Sequence, residues 1–120
     1  MRAPADRDSR LFIRLAFWAA AAVALVMALL PHPPPIPGDP SDKLQHAAAF
    51  ATLGFLGSLA YPELRRRWLI IGLSLFGALI EVAQLIPVLH RDSDPLDWVA
   101  DTVACTVVLL ALRWWTRSPR

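Results

Sequence analysis

The sequence predicts an all-α protein, an integral membrane bundle of four transmembrane helices with both termini in the cytoplasm. Hydrophobic residues make up 56% of the 120 residues, and the mean hydropathy is +0.44, which is high for a small soluble domain and ordinary for a membrane protein. Four apolar segments, each long enough to approach the thickness of a bilayer as a helix, alternate with short connections. Basic residues are concentrated at the termini and in the middle connection.

The first predicted span covers about residues 11–30 and follows a polar N-terminal tail, residues 1–10. A secretory signal peptide is the alternative. The apolar run is long, however, and ends in P-H-P-P-P instead of a small-residue cleavage site, which favours an uncleaved span. The segment Pro31–Pro40 then contains six prolines, so we expect an extended spacer without helix.

Three further spans complete a single transmembrane domain, residues 11–115, which is followed by a C-terminal tail at residues 116–120. Ser41 and Asp42 provide the N-cap chemistry that starts the second span. Prolines follow the second and third spans and would end them. The three spans cover about residues 44–61, 68–86 and 96–115.

The distribution of Lys and Arg predicts the orientation. Ten of the twelve basic residues lie in the N-terminal segment, in the Arg65–Arg67 turn and in the C-terminal segment. Only Lys43 and Arg91 lie in the other two connections. By the positive-inside rule both termini are therefore cytoplasmic, and Pro31–Lys43 and Pro87–Leu96 lie on the extracytoplasmic side.

Ionisable and polar residues enter three of the spans from this same outer side. They are Lys43 and His46 on the second span, Glu81 and Gln84 on the third, and Asp94, Asp97 and Asp101 along the fourth. Spacings of three and four residues put each set on one face of its helix. Ionisable groups inside a bilayer are costly and face the bundle interior, so we expect these side chains to meet at one depth.

Three segments in this region resemble a known family. They read D-K-L-Q-H-A-A-A-F-A-T-L-G at 42–54, G-A-L-I-E-V-A-Q at 77–84 and R-D-S-D-P-L-D-W-V-A-D-T at 91–102. Their order and spacing are similar to the signature blocks of VanZ-like membrane proteins, small bacterial helical proteins named for a member associated with low-level resistance to the glycopeptide teicoplanin. The resemblance covers residues 42–104, about half of the chain.

The resemblance implies a set of site residues. The matching positions are Asp42, Lys43, His46, Phe50, Glu81, Gln84, Arg91, Asp94 and Asp97. The chain departs from the family pattern at two positions, since the family usually has Asn where this chain has Asp101, and Gly where it has Ala104. The additional carboxylate changes the charge balance of the expected site.

The leading functional hypothesis is the binding or modification of a cell-envelope precursor or lipid in the bacterial inner membrane, with an influence on teicoplanin susceptibility. Whether the chain is an enzyme stays open. The candidate catalytic residues are His46, Glu81, Asp97 and Asp101, because burial tunes such groups toward neutral pH. The candidate substrate-binding residues are Asp42, Lys43, Gln84, Arg91 and Asp94, of which Arg91 suits an anionic headgroup.

Two other functions stay open. The main alternative is a non-catalytic accessory or scaffolding protein that packs against a larger envelope enzyme or transporter through the small residues Gly72 and Gly77. A small ion carrier ranks behind it, because no span is broken near its middle. The expected partners are thus membrane lipids, a lipid-linked precursor or another membrane protein, and the absence of a basic helix face argues against nucleic acid.

No cofactor is predicted. One imidazole and several carboxylates suit Zn²⁺ or Mn²⁺, and His46, Glu81, Asp97 and Asp101 could supply them. The chain contains no H-E-x-x-H motif and only one cysteine, however. The spacing of these residues along the sequence therefore does not predict a metal site.

Overall fold

The computed structural model describes residues 4–31, 41–91 and 93–117, and this part of the chain contains helices and no strands. The helices are α1 (Pro4–Leu29), α2 (Asp42–Ala60), α3 (Arg66–Ala83) and α4 (Pro95–Arg117), with a short 3-10 turn at Pro87–Leu89. The predicted all-α class is confirmed. Most of the proline-rich spacer, residues 32–40, lies outside the described part of the chain.

The helix ends differ most from the predicted spans at the start of α1 and at the end of α3. Helix α1 begins at Pro4, within the segment expected to be a polar tail. Helix α3 ends at Ala83 instead of residue 86, because the N–H groups of Leu85 and Ile86 bond to carbonyls three residues earlier and so tighten the last turn. Pro87, which has no N–H, prevents the helix from continuing.

Side-chain caps fix the starts of α2 and α4. The Ser41 hydroxyl accepts a hydrogen bond from the N–H of Leu44 at 3.2 Å, as the sequence predicts. Asp94 caps α4, since its Oδ1 accepts from the N–H of Leu96 at 3.0 Å and Pro95 occupies the first helical position. Both caps lie at the same end of the bundle.

Helices α2 and α4 form the central pair of the bundle, with α1 packed on α2 and α3 packed on α4. His46 of α2 meets Asp101 of α4, and further along both helices Gly54 meets Cys105, so the two helices run parallel. A Cβ atom at Gly54 would lie 3.4 Å from the Cα of Cys105. The absence of a side chain there lets the two backbones approach closely.

The exterior of the bundle is apolar. Large hydrophobic side chains are exposed on every helix, for example Phe12 (73%), Leu59 (44%), Leu79 (67%) and Val107 (58%). Two helical segments, Arg7–Leu29 and Pro95–Trp115, are long and apolar enough to cross a membrane. The core helix of a soluble protein or a signal sequence would satisfy the same criterion.

A leucine pair on α2 tests this packing. Leu53→Ala should lower the free energy of unfolding by about 2–5 kcal/mol, because Leu53 is fully buried and its loss leaves a cavity. Leu59→Ala, on the exposed face of the same helix, should change it by about 0.5 kcal/mol or less. Denaturant unfolding followed by circular dichroism measures both values, and equal losses would contradict this arrangement of α2.

Candidate functional site

Five polar side chains are buried where α2 and α4 begin and α3 ends. Their exposed fractions are 8% or less, and they are His46, Glu81, Gln84, Asp97 and Asp101. Three helices contribute to this cluster, as the placement of polar residues in the sequence predicts. A buried polar group is costly unless it has a partner, so the contacts within the cluster decide what it does.

His46 lies between two carboxylates of α4. Its Nδ1 is 3.0 Å from Oδ1 of Asp101, which is completely buried. Its Nε2 is 3.9 Å from Oδ2 of Asp97. Asp97 and Asp101 thus share one face of α4, as their spacing of four residues predicts. One imidazole of α2 therefore faces two carboxylates of α4 and lies within hydrogen-bond distance of Asp101.

Glu81 joins α3 to the connection that precedes α4. Its Oε2 accepts hydrogen bonds from the Ser93 hydroxyl at 3.1 Å and from the N–H of Asp94 at 3.0 Å. Ser93 also donates to the main-chain carbonyl of Glu81 at 2.9 Å. The other carboxylate oxygen, Oε1, is buried and accepts no hydrogen bond from the described residues. One half of the Glu81 carboxylate is thus fixed, and the other half faces the interior with no donor among the described residues.

Lys43 and Asp94 form an ion pair at the mouth of the cluster. The Lys43 ammonium is 2.8 Å from Oδ2 of Asp94 and 3.5 Å from Oδ1 of the buried Asp97. The Lys43 hydrogen bond, and then the N–H of Leu96, hold the pKa of Asp94 below its ordinary value. The same carboxylate thus caps α4 and faces a cation of α2.

Gly77 leaves room on α3 for the side chain of the buried Asp101. A Cβ atom at Gly77 would lie 2.9 Å from Oδ2 of Asp101 and 3.4 Å from the Trp98 ring. The accessory-protein hypothesis placed Gly77, like Gly72, on an exposed small face for a partner protein. That assignment is wrong for Gly77, which is buried against α4, whereas nothing lies within 4 Å of a Cβ atom at Gly72.

An open cavity of about 580 Å³ between α1 and α2 leads to the cluster, and we name it the α1–α2 groove. Its polar lining includes His46, Gln45 and Arg91, and the remainder is almost entirely apolar. The α1 side of the lining runs from Ala19 to Ala28, about 14 Å of helix. Arg91 also donates to the carbonyl of Leu30 at 3.3 Å, beyond the end of α1. The groove is therefore a long apolar channel with a basic end.

The predicted site residues fall into distinct positions. The four candidate catalytic residues, His46, Glu81, Asp97 and Asp101, lie together in the buried cluster. Of the candidate substrate-binding residues, Arg91 lines the groove, while Lys43 and Asp94 pair at the mouth. Gln84 instead holds α1, since its amide donates to the carbonyl of Ala28 at 3.0 Å. The side chain of Asp42 lies outside the described part of the chain.

Two residues of the site were missed. Ser93 is the first, because the connection folds back over the end of α3 and brings its hydroxyl onto the Glu81 carboxylate. Gln45 lines the groove beside His46. No periodicity distinguishes Gln45 from an exposed glutamine in a first helical turn, so only the position of α1 shows its role.

Three members of the cluster have the geometry of a metal-ligand set. His46, Glu81 and Asp101 each offer one ligand atom, and these atoms all lie within 4.8 Å of one another. The three residues come from three different helices. Their separation along the chain explains why the sequence showed no ligand spacing.

A glycine pair on α3 tests the packing of the cluster. Gly77→Ala should destabilise the protein by about 1–3 kcal/mol, because the new methyl group would displace the Asp101 carboxylate. Gly72→Ala should stabilise it by about 0.5–1 kcal/mol, since alanine favours helix and meets open space there. Opposite shifts in denaturant midpoint support the close contact, and equal shifts would contradict it.

The capping aspartate predicts a pH dependence. A carboxylate whose pKa is lower in the folded protein stabilises the fold above its unfolded pKa, ordinarily 3.8 for Asp94, and loses that stabilisation as the pH falls through the lowered value. Asp94→Asn keeps a capping oxygen and removes the charge. The variant should therefore melt below the wild type at pH 7, and the difference should vanish near pH 2. A difference independent of pH would argue against the Lys43 ion pair.

Comparison with known proteins identifies no family for the chain. No protein-family model, curated protein or solved structure matches the chain. The resemblance of residues 42–104 to VanZ-like proteins therefore stays a prediction from its three segments.

Proposed function

We propose that the chain is a four-span integral membrane protein whose buried cluster lies near the extracytoplasmic face. The support is the inverted distribution of polarity, with large hydrophobic side chains outside and three buried carboxylates inside. Helices α2 and α3, with 19 and 18 residues, extend about 28 and 27 Å, close to the roughly 30 Å of a bilayer core. In a membrane, lipid would cover the large hydrophobic side chains that are exposed on the outside of the bundle.

The proposed orientation puts both termini in the cytoplasm. The basic residues that support it lie at the end of the bundle opposite the cluster, as Arg14 illustrates by donating to the carbonyl of Ala60 at the end of α2. Exposed aromatic side chains accompany them at that end, including Trp18, Trp68, Trp114 and Trp115. Trp and Tyr favour the membrane interface, and Lys and Arg favour its cytoplasmic side.

The proposed ligand is an amphiphile, a membrane lipid or a lipid-linked envelope precursor. The observation that carries this proposal is the α1–α2 groove, which combines an apolar length of about 14 Å with Arg91 and His46 at one end. An acyl or polyprenyl chain suits the apolar length. A phosphate or other anionic headgroup suits a guanidinium, which donates two parallel hydrogen bonds to such groups.

The cell-envelope setting of the proposal comes from the resemblance to VanZ-like proteins. It comprises the bacterial inner membrane and an influence on teicoplanin susceptibility. If the ligand is also modified, His46 and Glu81 are the groups to exchange protons, and Asp97 and Asp101 would set their charge. His46 is the member of this set that also lines the groove, so a bound headgroup would meet it first.

A non-catalytic accessory role is the second candidate, in which a helix of a larger envelope protein packs on α3. The favouring observation is an apolar cavity of about 460 Å³ that Gly72, Trp18 and Trp68 help to line. Small residues let transmembrane helices approach closely. Gly77 no longer contributes to this surface, because α4 covers it.

Lipid retention tests the leading proposal. The purified protein should carry an anionic or polyprenyl-linked lipid that native mass spectrometry detects, and Arg91→Ala should reduce its retention by about tenfold or more. The reason is that a hydrogen bond to a charged group contributes about 1.5–3 kcal/mol. Arg67→Ala is the matched control, since Arg67 lies at the opposite end over the Trp68 ring and should leave retention unchanged.

Two results would decide against lipid binding in the groove. One is an identical lipid profile for the wild type and Arg91→Ala, both folded by circular dichroism. The other is an equal loss in Arg67→Ala, which would indicate nonspecific attraction of anionic lipid to basic residues. Either result would leave the accessory role as the better explanation, and Gly72→Leu would then be compared with the wild type for co-purifying membrane proteins.

A further inference from the structure

We propose that His46, Glu81 and Asp101 bind a divalent transition-metal ion, Zn²⁺ or Mn²⁺, inside the bundle. Their ligand atoms all lie within 4.8 Å of one another, and all three side chains are at least nine-tenths buried. Ligands around a tetrahedral zinc ion lie about 2.0–2.2 Å from the metal. Small side-chain movements would therefore bring the three atoms to one ion.

The second observation is the half-satisfied carboxylate of Glu81. Its Oε2 is held by Ser93 and by the N–H of Asp94, but its Oε1 is buried and accepts no hydrogen bond from the described residues. A buried acceptor without a donor is costly, and native proteins rarely leave one unexplained. A metal ion would satisfy Oε1, while Ser93 and Asp94 already orient the carboxylate as supporting groups around metal sites do.

The geometry of His46 is that of a supported ligand. Its Nδ1 lies 3.0 Å from Oδ1 of Asp101, and we therefore assign Nδ1 as the ligand atom. Its Nε2 faces the Asp97 carboxylate at 3.9 Å, and the Lys43 ammonium lies 3.5 Å from that same aspartate. A metal-binding histidine ordinarily donates its second N–H to a carboxylate, which fixes the tautomer and the ring. We assign that supporting role to Asp97.

The charges of the cluster suit a divalent cation. The ligand set combines one imidazole with two carboxylates, and the hydrogen bonds that Glu81 accepts come from the neutral Ser93 hydroxyl and Asp94 amide. Nitrogen and oxygen donors of this kind select Zn²⁺ or Mn²⁺ over metals that need thiolates. Cys105, one turn further along α4, is engaged with the carbonyl of Thr102 and lies outside the set.

With the ion bound, His46 and Glu81 would be ligands and no longer the groups that exchange protons, so the ion would take over the chemistry at the end of the groove. Three protein ligands leave a coordination position open, as in catalytic zinc sites. His46 is both a ligand and part of the groove lining, so an anionic headgroup in the groove would reach the ion. This last step rests on the proposed lipid function, whereas binding of the ion by the three side chains does not.

Metal titration of the 120-residue chain without added lipid tests the inference. The chain, purified in detergent and stripped with a chelator, should bind one Zn²⁺ per molecule by calorimetry and melt at a higher temperature when loaded. Glu81→Gln and Asp101→Asn keep the side-chain shapes and should each weaken binding by more than ~100-fold, because even a supporting partner is worth ~10–100-fold. Asp97→Asn should weaken zinc binding by only ~10–100-fold, because Asp97 is assigned a supporting role.

Glu63→Gln is the matched control, because Glu63 is exposed and pairs with Arg14 at the other end of the bundle. This variant should bind zinc as the wild type does. Equal zinc affinity in the wild type and a folded Glu81→Gln would overturn the proposal, since the ion would then be held elsewhere. The lipid assay with Arg91→Ala is scored separately, so failure of one proposal does not resemble failure of the other.

A measurement on the wild type alone covers the case in which the variants fail to fold. X-ray absorption of the zinc-loaded protein should show only nitrogen and oxygen neighbours at about 2.0–2.2 Å, with the outer scattering of one imidazole. A sulfur neighbour at about 2.3 Å would implicate Cys105 and overturn the assignment. So would two or more imidazoles, because the described ligand set contains one histidine.

Discussion

The contact between His46 and the α4 carboxylates is the constraint on which the rest of the bundle depends. Asp101 has no exposed surface and Asp97 has 2%, so neither can regain the water that an ionised carboxylate would otherwise bind. His46 reaches both, at 3.0 and 3.9 Å, and thereby sets the register of α2 against α4. A slip of one residue along either helix would separate these groups, and leaving a buried charge without its partner is strongly destabilising.

Two glycines near this contact leave the room that it requires. Gly77 leaves room for the Asp101 carboxylate beside α3, and Gly54 lets the α2 and α4 backbones approach where Cys105 packs. Glu81 extends the network in the other direction, because its hydrogen bonds hold the connection that starts α4. The polar network and the helix packing are therefore one system, and a change in either will be felt in the other.

The geometry also divides the ionisable residues by access. His46 and Arg91 line the groove, whereas Glu81, Asp97 and Asp101 lie behind them in the buried cluster. A ligand in the groove would therefore meet an arginine and an imidazole, with the carboxylates acting through His46 or through a bound ion. A substrate in the groove would therefore contact Arg91 and His46 directly and would not need to contact the three buried carboxylates.

The helical class, the approximate helix bounds and the gathering of polar residues at one end of the bundle were predictable from the amino-acid sequence alone. The length of an apolar segment, the positions of prolines and spacings of three and four residues are local properties of the sequence, so they do not depend on how the helices pack. Only the tertiary structure decided that Ser93 serves Glu81, that Gly77 faces Asp101 and that α1 forms a groove over His46. Those contacts join residues that are distant in the chain, and their geometry depends on how whole helices pack against one another, which local pattern does not encode.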